Sequence, residues 1–438
     1  MAAPESGSRD ARTERSLSPG FRRRDLAGRR GEAQRAFAVD DGDWAGITVE
    51  PALMDIADVM VESAIGCIPV PLGVADGFLI DEREVAVPMA VEEPSVIAAA
   101  SYAGRLVRRG GGFSTWASEP LMTAQVFLEG VSEEGEKRLA GLAQGVRARL
   151  APELLTLERR GGGFRGMSAE RLPVTGAVRV DLLIDVRDSM GANRLNTAAE
   201  AVRPLLEEAS GGRALMAVLT NASRDRLAGA RYELPLESLG ATRLPTGMNA
   251  AEAGRRIAAA SAIAHEDPSR AVTHNKGIMN GISALALATM NDTRALEAAA
   301  HAWACRDGTC RGLSTHVVEG GVLRGEIALP LALAAVGGSV DFHPAARACL
   351  RILGSPDAPG LARIAAAVGL AQNLAALLAL VTSGIQQGHM RLSAARLAWR
   401  AGARGAEARR VADALADAPH ADVATAREAL ARLRGESG

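Results

Sequence analysis

Apolar positions change period several times along the chain, and each change marks an element. Pro51 to Ala64 repeats its apolar residues at helical spacing, with Met54, Ile56, Met60 and Ile65 as core candidates. A Pro- and Gly-rich turn region follows. It leads into a hairpin-like pair, Gly77–Ile80 and Val85–Met89, joined by Asp81-Glu82-Arg83-Glu84. Pro94 and Ser95, with Glu92 and Glu93 beside them, open a helix from Val96 through Arg105. Residues 119–222 read differently: strand (Met122–Leu128), helix (Glu136–Arg160), glycine turn, strand (Val178–Val186), helix (Leu195–Ala209), strand (Arg213–Leu219). That alternation predicts a compact α+β insert. Residues 223–383 return to Ala-rich helical segments, broken by one strand pair near His316–Leu329, and residues 384–438 read as a polar helical C-terminal piece. Residues 1–20 are Ser-, Arg- and Glu-rich without the apolar stretch of a signal peptide, and read as a disordered tail before an Arg-rich helical start at Phe21–Arg35. The expected class is α+β: a large, mostly helical domain split into 21–118 and 223–383, the insert at 119–222, and a C-terminal piece at 384–438.

One apolar run could be mistaken for a membrane span. Ile364 to Ile385 carries no charge over 22 residues, a length that could cross a bilayer. Its apolarity comes mainly from Ala, it contains Gln372 and Asn373, and it lacks flanking aromatic anchors, so it reads as a helix buried within a large core. The 438 residues carry a net charge of −1 and only 3% aromatic residues. Nothing there favours nucleic acid or a membrane surface as partner. The four cysteines, Cys67, Cys305, Cys310 and Cys349, form no CxxC pair and read as reduced thiols of a cytoplasmic protein with no metal site.

Charge usage is skewed. Two lysines stand against forty-eight arginines. Lys137 sits among surface-type charges, whereas Lys276 lies in the otherwise uncharged, turn-like string Thr273-His274-Asn275-Lys276-Gly277-Ile278-Met279-Asn280-Gly281. An ammonium is a compact point charge that burial can retune, which a guanidinium is not, so Lys276 is a candidate for chemistry as a buried amine. Gly161-Gly162-Gly163-Phe164-Arg165-Gly166 matches a dinucleotide fingerprint but follows a helical stretch, so it reads as a structural turn. Asp185 to Asn193 follows an apolar strand and precedes a helix; its backbone N–H groups could face an anion or simply turn the chain. Glu92 and Glu93 could be helix-start charges, Asp292 an N-cap, and His389 a surface histidine near a hinge. Together with Lys276 they supply the cation, carboxylates and imidazole needed for proton transfer beside a developing oxyanion.

Glu93-Pro94-Ser95, Asp188-Ser189-Met190-Gly191-Ala192-Asn193, His274-Asn275-Lys276-Gly277, Asn291-Asp292 and Gly388-His389-Met390 occur in the order and approximate spacing of 3-hydroxy-3-methylglutaryl-CoA (HMG-CoA) reductase. From about Pro51 to Arg404 the chain resembles the soluble bacterial class II form. The resemblance implies a four-electron NAD(P)H-dependent reductase interconverting HMG-CoA with mevalonate and coenzyme A. It implies a substrate role for the large domain, a small cofactor domain of ferredoxin-like, non-Rossmann type at 119–222, and a C-terminal flap. By the same resemblance, Lys276 holds the substrate oxygen and Glu93, with a raised pKa from burial beside another carboxylate, protonates it in the second reduction. Asp292 couples to both, and His389 protonates the departing thiolate. Ser95, Arg270 and Asn280 are assigned to substrate; Asp188, Met190, Gly191, Ala192, Asn193 and Asn221 to the cofactor. A homodimer, or an assembly of dimers, with shared active sites is implied.

Two departures stand out. The family's Glu-Asn-Val-Ile-Gly reads Glu62-Ser63-Ala64-Ile65-Gly66 here. The stretch that reads the adenosine ribose is Leu150 to Leu155, with Arg147 and Arg149 just before it, which points towards NADPH over NADH. A non-catalytic coenzyme A binder, or a thioester hydrolase or acyltransferase, would be the alternatives. The second lacks a nucleophile-elbow string.

Overall fold

The computed structural model describes residues 24–37, 49–242, 244–382, 394–415 and 421–435. It divides into two compact units, Met1–Pro71 and Leu72–Gly438. Among the described residues of the first, α1 (Leu26–Phe37) and α2 (Pro51–Met60) are helices, the second opened by proline at its first turn. Arg29 is buried there, donating from Nε to Ala64 O (3.0 Å) and pairing with Asp58. Of the four expected core residues only Met54 is buried, while Met60, Val59, Val61, Ile68 and Val70 are exposed. The helical spacing was right.

The second unit is built on two sheets. The larger has six strands: β1 (Leu72–Ile80), β2 (Arg83–Ala90), β3 (Phe113–Ala117), β8 (Leu227–Pro235), β9 (Ser314–Glu319) and β10 (Val322–Pro330), in the order β2-β1-β3-β8-β10-β9. The expected hairpin is β1–β2, paired from Leu72↔Ala90 to Ile80↔Arg83. Asp81 and Glu82 both take positive φ at its turn, and Asp81 accepts from Thr115 N (2.8 Å), fixing the turn to β3. Helix α3 (Val96–Arg108) lies on this sheet, with Gly104 against the Phe78 ring. α7 (Ala250–Glu266), α8 (Pro268–Ala288) and α12 (Ala358–Val381) pack with it around one continuous core. α12 is the charge-free helix. It is apolar and long enough for a membrane span, but it is mostly buried, with Gln372 and Asn373 inside.

Helix outweighs strand in the large core, as expected, but a six-stranded sheet runs through it, of which the sequence showed only the two hairpins. The smaller sheet has β4 (Leu121–Glu129), β5 (Gly163–Arg171), β6 (Val178–Asp185) and β7 (Arg213–Leu219), ordered β5-β6-β4-β7 with every pair antiparallel. Three helices cover it: α4 (Glu133–Ala140), α5 (Ala143–Glu158) and α6 (Ala192–Ser210). They enclose a separate cluster that includes Val126, Leu150, Leu182, Ile184, Leu195 and Leu206. The single helix expected over 136–160 is two, parted at Gly141–Leu142, and β5 was not foreseen. The Gly161–Gly163 string is the turn between α5 and β5, with Gly161 and Gly163 at positive φ. Beyond α9 (Thr293–Ala304), α10 (Ser339–Phe342), α11 (Pro344–Ile352) and α12 come the C-terminal helices α13 (residues 394–400), α14 (Gly405–Leu415) and α15 (Val423–Arg434). These share a small core of Ala394, Ala398, Val411, Leu415 and Leu430.

Candidate active site

Lys276 sits in the middle of α8, not in a turn. The polar string that looked turn-like is helical because its inward members are satisfied by distant partners. Asn275 is fully buried and donates to Arg311 O (2.8 Å) while accepting from Leu313 N (2.8 Å). His274 is buried and bonds through Nε2 to Ser314 Oγ (2.7 Å), which donates on to Asn373 Oδ1 (2.9 Å). That chain puts the His274 proton on Nε2. Gly281, about two turns on, lets α12 approach: a Cβ there would meet Val368 and Gln372 atoms at 3.1 Å.

With 274 and 275 turned inward, 276 points outward. Its Nζ donates to Glu93 Oε2 at 3.1 Å, and the two side chains are 61% and 36% exposed. The expectation of a buried amine is therefore corrected. In the single chain the ammonium stands at the edge of an open cleft of about 540 Å³, lined also by Glu92, Met279, Asn280, Ser283, Arg294 and Glu297. The neighbour found beside Glu93 is this ammonium, not the second carboxylate that was expected. Glu93 is presented by the loop between β2 and α3, whose last residue, Ser95, takes a left-handed conformation (φ 77°) and leaves its side chain outside any capping bond. Non-glycine residues pay roughly 1–2 kcal/mol for that backbone state. Ser283 donates to Glu297 across the cleft floor (2.7 Å).

Asp292 is the N-cap of α9, its Oδ1 accepting from Arg294 N and Ala295 N at 3.1 Å each. The bland capping reading thus holds. No hydrogen bond or ion pair joins Asp292 to Lys276 or Glu93 among the described residues, so a direct coupling of the three is absent from this arrangement. Its place is still informative. Thr293 and Arg294 line the lysine cleft, while Asp292 lines a second cavity of about 410 Å³ with Met190, Gly191, Ala192 and Asn193. The start of α9 is the wall between the two.

The second cavity lies at the start of α6. Gly191 is its N-cap at φ 82°, with no side chain capping the first turn, so backbone N–H groups face the cavity. An added Cβ would come within 2.5 Å of Val186 Cγ1. An uncapped helix start with a glycine approach suits an anionic group such as a dinucleotide pyrophosphate. Asp188 is engaged elsewhere: Ala358 N donates to its Oδ1 (3.0 Å), and Ala335 N and Val336 N donate to its carbonyl (2.8 and 3.2 Å). It borders an adjoining cavity of about 290 Å³ that Arg160, Arg187 and Arg194 also line. Arg147 lies over the Phe164 ring (5.3 Å) instead. Asn221 is exposed in the turn after β7 and lines neither cavity.

Of the substrate candidates, Asn280 shares the cleft with Lys276 and Glu93. Ser95 and Arg270 are not among its lining residues, and Arg270, six helical positions before Lys276, points along another face of α8. His389 lies outside the described residues. Sequence reasoning missed three supports. Asn291 brackets Ala334 with two bonds (Nδ2 to O 3.1 Å; N to Oδ1 2.7 Å), holding the far cavity wall. The Asn275 clamp is the second. Buried Arg226 is the third: it donates to Ser189 O (3.0 Å) and to Leu333 O, and desolvation lowers its pKa to about 10 against the pull of Asp185 and Asp188. A lone Arg among forty-eight carries no signal of this kind. Asn275 and Asn291, each beside a candidate catalytic residue, did.

The family model for hydroxymethylglutaryl-coenzyme A reductase matches residues 40–394. The 3-hydroxy-3-methylglutaryl-coenzyme A reductase of Archaeoglobus fulgidus is 39% identical over 426 residues, covering 96% of this chain and 95% of that protein. A probable enzyme of the same name from Borreliella burgdorferi is 33% identical over 376 residues, covering 86% and 85%. Among solved structures, the class II enzyme from Streptococcus pneumoniae bound to NADPH in open conformations superposes with a TM-score of 0.73 at 36% identity, covering 94% of this chain and all of that one. By class, the chain is an oxidoreductase. More particularly, it belongs to the hydroxymethylglutaryl-coenzyme A reductase family.

Proposed function

We propose that this protein reduces HMG-CoA to mevalonate and coenzyme A, or runs the reverse reaction, with NADPH or NADH. The observation that carries the reading is the Lys276–Glu93 pair, set in a cleft that shares one wall with the cavity at the uncapped start of α6. The nicotinamide, when bound, supplies hydride. Everything else falls to the chain. Lys276 offers a full positive charge to the carbonyl oxygen as it becomes an oxyanion. Glu93, within hydrogen-bonding distance of that ammonium, is placed to hand a proton to the same oxygen. Asp292 keeps Oδ2 outside its capping bonds and so can face substrate while holding α9. His389 is the proposed proton donor to the coenzyme A thiolate. Arg396 of α13 reaches the Glu92 carbonyl (3.5 Å), which supports a C-terminal flap at 384–438 closing near this loop.

The strand order β5-β6-β4-β7 is that of a β-α-β-β-α-β module. It supports reading 119–222 as a ferredoxin-like cofactor domain inserted in a substrate domain of 21–118 and 223–383. Met190 to Asn193 would hold the pyrophosphate, with Asp188 as a brace and Asn221 brought in on closure. Arg160, Arg187 and Arg194 around the adjoining cavity favour NADPH, since a 2′-phosphate needs cations. The absence of Ser95 and Arg270 from the cleft lining supports a homodimer that completes the site across subunits. We infer a cytoplasmic location from the four free thiols.

The test is nicotinamide absorbance with HMG-CoA, alongside free-thiol release. Two cofactor oxidations per thiol released support the reaction. Thiol release without oxidation makes it a hydrolase, and neither signal makes it a binding module. Initial rates with NADH and NADPH settle the preference.

A further inference from the structure

Cys305 and Cys310 flank a loop that the reaction does not use. Cys305 caps the end of α9 and is exposed; Cys310 is partly exposed. The backbone folds back between them: Gly308 N donates to Cys305 O (3.0 Å) and Arg311 N to Ala304 O (3.0 Å). Residues 304 and 311 are thereby paired, and 305 and 310, one step inside, have their thiols in contact. Burial first, and then direct contact with Cys305, push the Cys310 thiol up. The far end of the loop is held against the lysine helix and against α7 before it. Asn275 grips Arg311 O and Leu313 N, Gly312 N donates to Ala264 O (2.9 Å), and Arg311 donates to His265 O (3.2 Å). The residue next to Asn275 is Lys276.

We propose that Cys305 and Cys310 form a reversible intraloop disulfide under oxidant, and that the tightened loop, through the Asn275 clamp, moves the Lys276 ammonium out of register. With hydrogen peroxide as oxidant, the exposed Cys305 thiolate attacks an oxygen and becomes a sulfenic acid, releasing water once a proton is taken up. The Cys310 sulfur then attacks the sulfenic sulfur and expels a second water. Two thiols and one peroxide give one disulfide and two waters. A small thiol restores both cysteines by exchange, its own disulfide carrying away the electrons. Cys349 is buried and so does not compete for Cys310.

The full-length reduced protein is treated with hydrogen peroxide, and its thiols are counted after denaturation. The count should fall from four to two, with a mass loss of about 2 Da and a digest peptide linking 305 to 310. Dithiothreitol should reverse all three. Turnover should drop about tenfold in kcat with KM shifted far less, as expected for a displaced catalytic group rather than a lost binding contact. C305S and C310S should keep the resting rate, form no 305–310 linkage and hold their turnover under peroxide, although Cys305 of C310S still oxidises to the sulfenic acid. A thiol count that stays at four, or losses that map to Cys67 or Cys349, would overturn the bridge. A bridge that forms without changing kcat would overturn its link to Lys276. The thiol count reads the chemistry of the loop whatever reaction the cleft performs, so its failure is separable from failure of the proposed activity.

Discussion

Replacing Lys276 by Arg separates chemistry from stability because the structure makes the two magnitudes unequal. The Lys276 side chain is 61% exposed and its one ion pair, with Glu93, is at the mouth of an open cleft. An exposed pair contributes about 0–1 kcal/mol, and Arg can still reach a carboxylate, so K276R should melt within a few degrees of the parent. An oxyanion stabiliser is worth far more. Losing one costs about 10²–10³ in kcat, roughly 2.7–4 kcal/mol. The longer, planar guanidinium spreads its charge away from the point where Nζ now sits. Paired thermal melts and initial rates with HMG-CoA are the assay. The expected result is near-parental stability with turnover down at least a hundredfold. Turnover within about threefold of the parent at unchanged Tm would refute the placement of the ammonium against a developing charge.

Asp292→Asn keeps the α9 cap, whereas Asp292→Ala removes it; both should lose turnover, but only the alanine variant should lose about 1 kcal/mol in denaturant melts. Equal stability losses would mean the carboxylate is structural first. His274 and His316 are buried with pKa lowered to about 3 by desolvation. The folded chain therefore stays unprotonated where the unfolded chain gains protons, and stability present above pH 6.5 is lost as pH falls towards 3. Each histidine should cost about 1.4 kcal/mol at pH 5.5. Urea midpoints that are flat between pH 7.5 and 5.5 would contradict this. Gly191→Ala puts a Cβ against Val186 at a positive φ. It should raise the cofactor KM about tenfold or more with a smaller effect on HMG-CoA, and an unchanged cofactor KM would move the pyrophosphate elsewhere.

Some of this was readable in the chain and some was not, for reasons the residues show. The β1–β2 hairpin and the alternation of β4, β6 and β7 carry their own apolar period. α12 declared itself by charge alone. β8, near the middle of the large sheet, did not: Ala228-Gly229-Ala230 is small because Trp116 lies over Gly229, where a Cβ would sit 2.4 Å from the indole nitrogen. The apolar cover belongs to a neighbour 113 positions away in sequence, so no local window can see it. The reading of 273–281 as a turn failed similarly. His274 and Asn275 look like loop residues until Ser314, Arg311 and Leu313 arrive to satisfy them. The candidate chemistry was legible chiefly through separated motifs. Lys276, Glu93 and Asn280 meet in one cleft, and Asp292 meets Met190–Asn193 in the next. Single-chain geometry leaves Ser95, Arg270 and Asn221 apart from both, which a pattern of letters could not foretell.

The bonds from Ala335, Val336 and Ala358 to Asp188 tie the β6–α6 turn to segments about 150 to 170 residues downstream. An excised 119–222 fragment would keep its sheet and most of its interior. It would nevertheless carry half a mould: the turn without the backing that shapes it. On the proposed reading of this stretch as the cofactor domain, transplanting dinucleotide selectivity between relatives calls for moving residues 334–341 and 357–358 together with it.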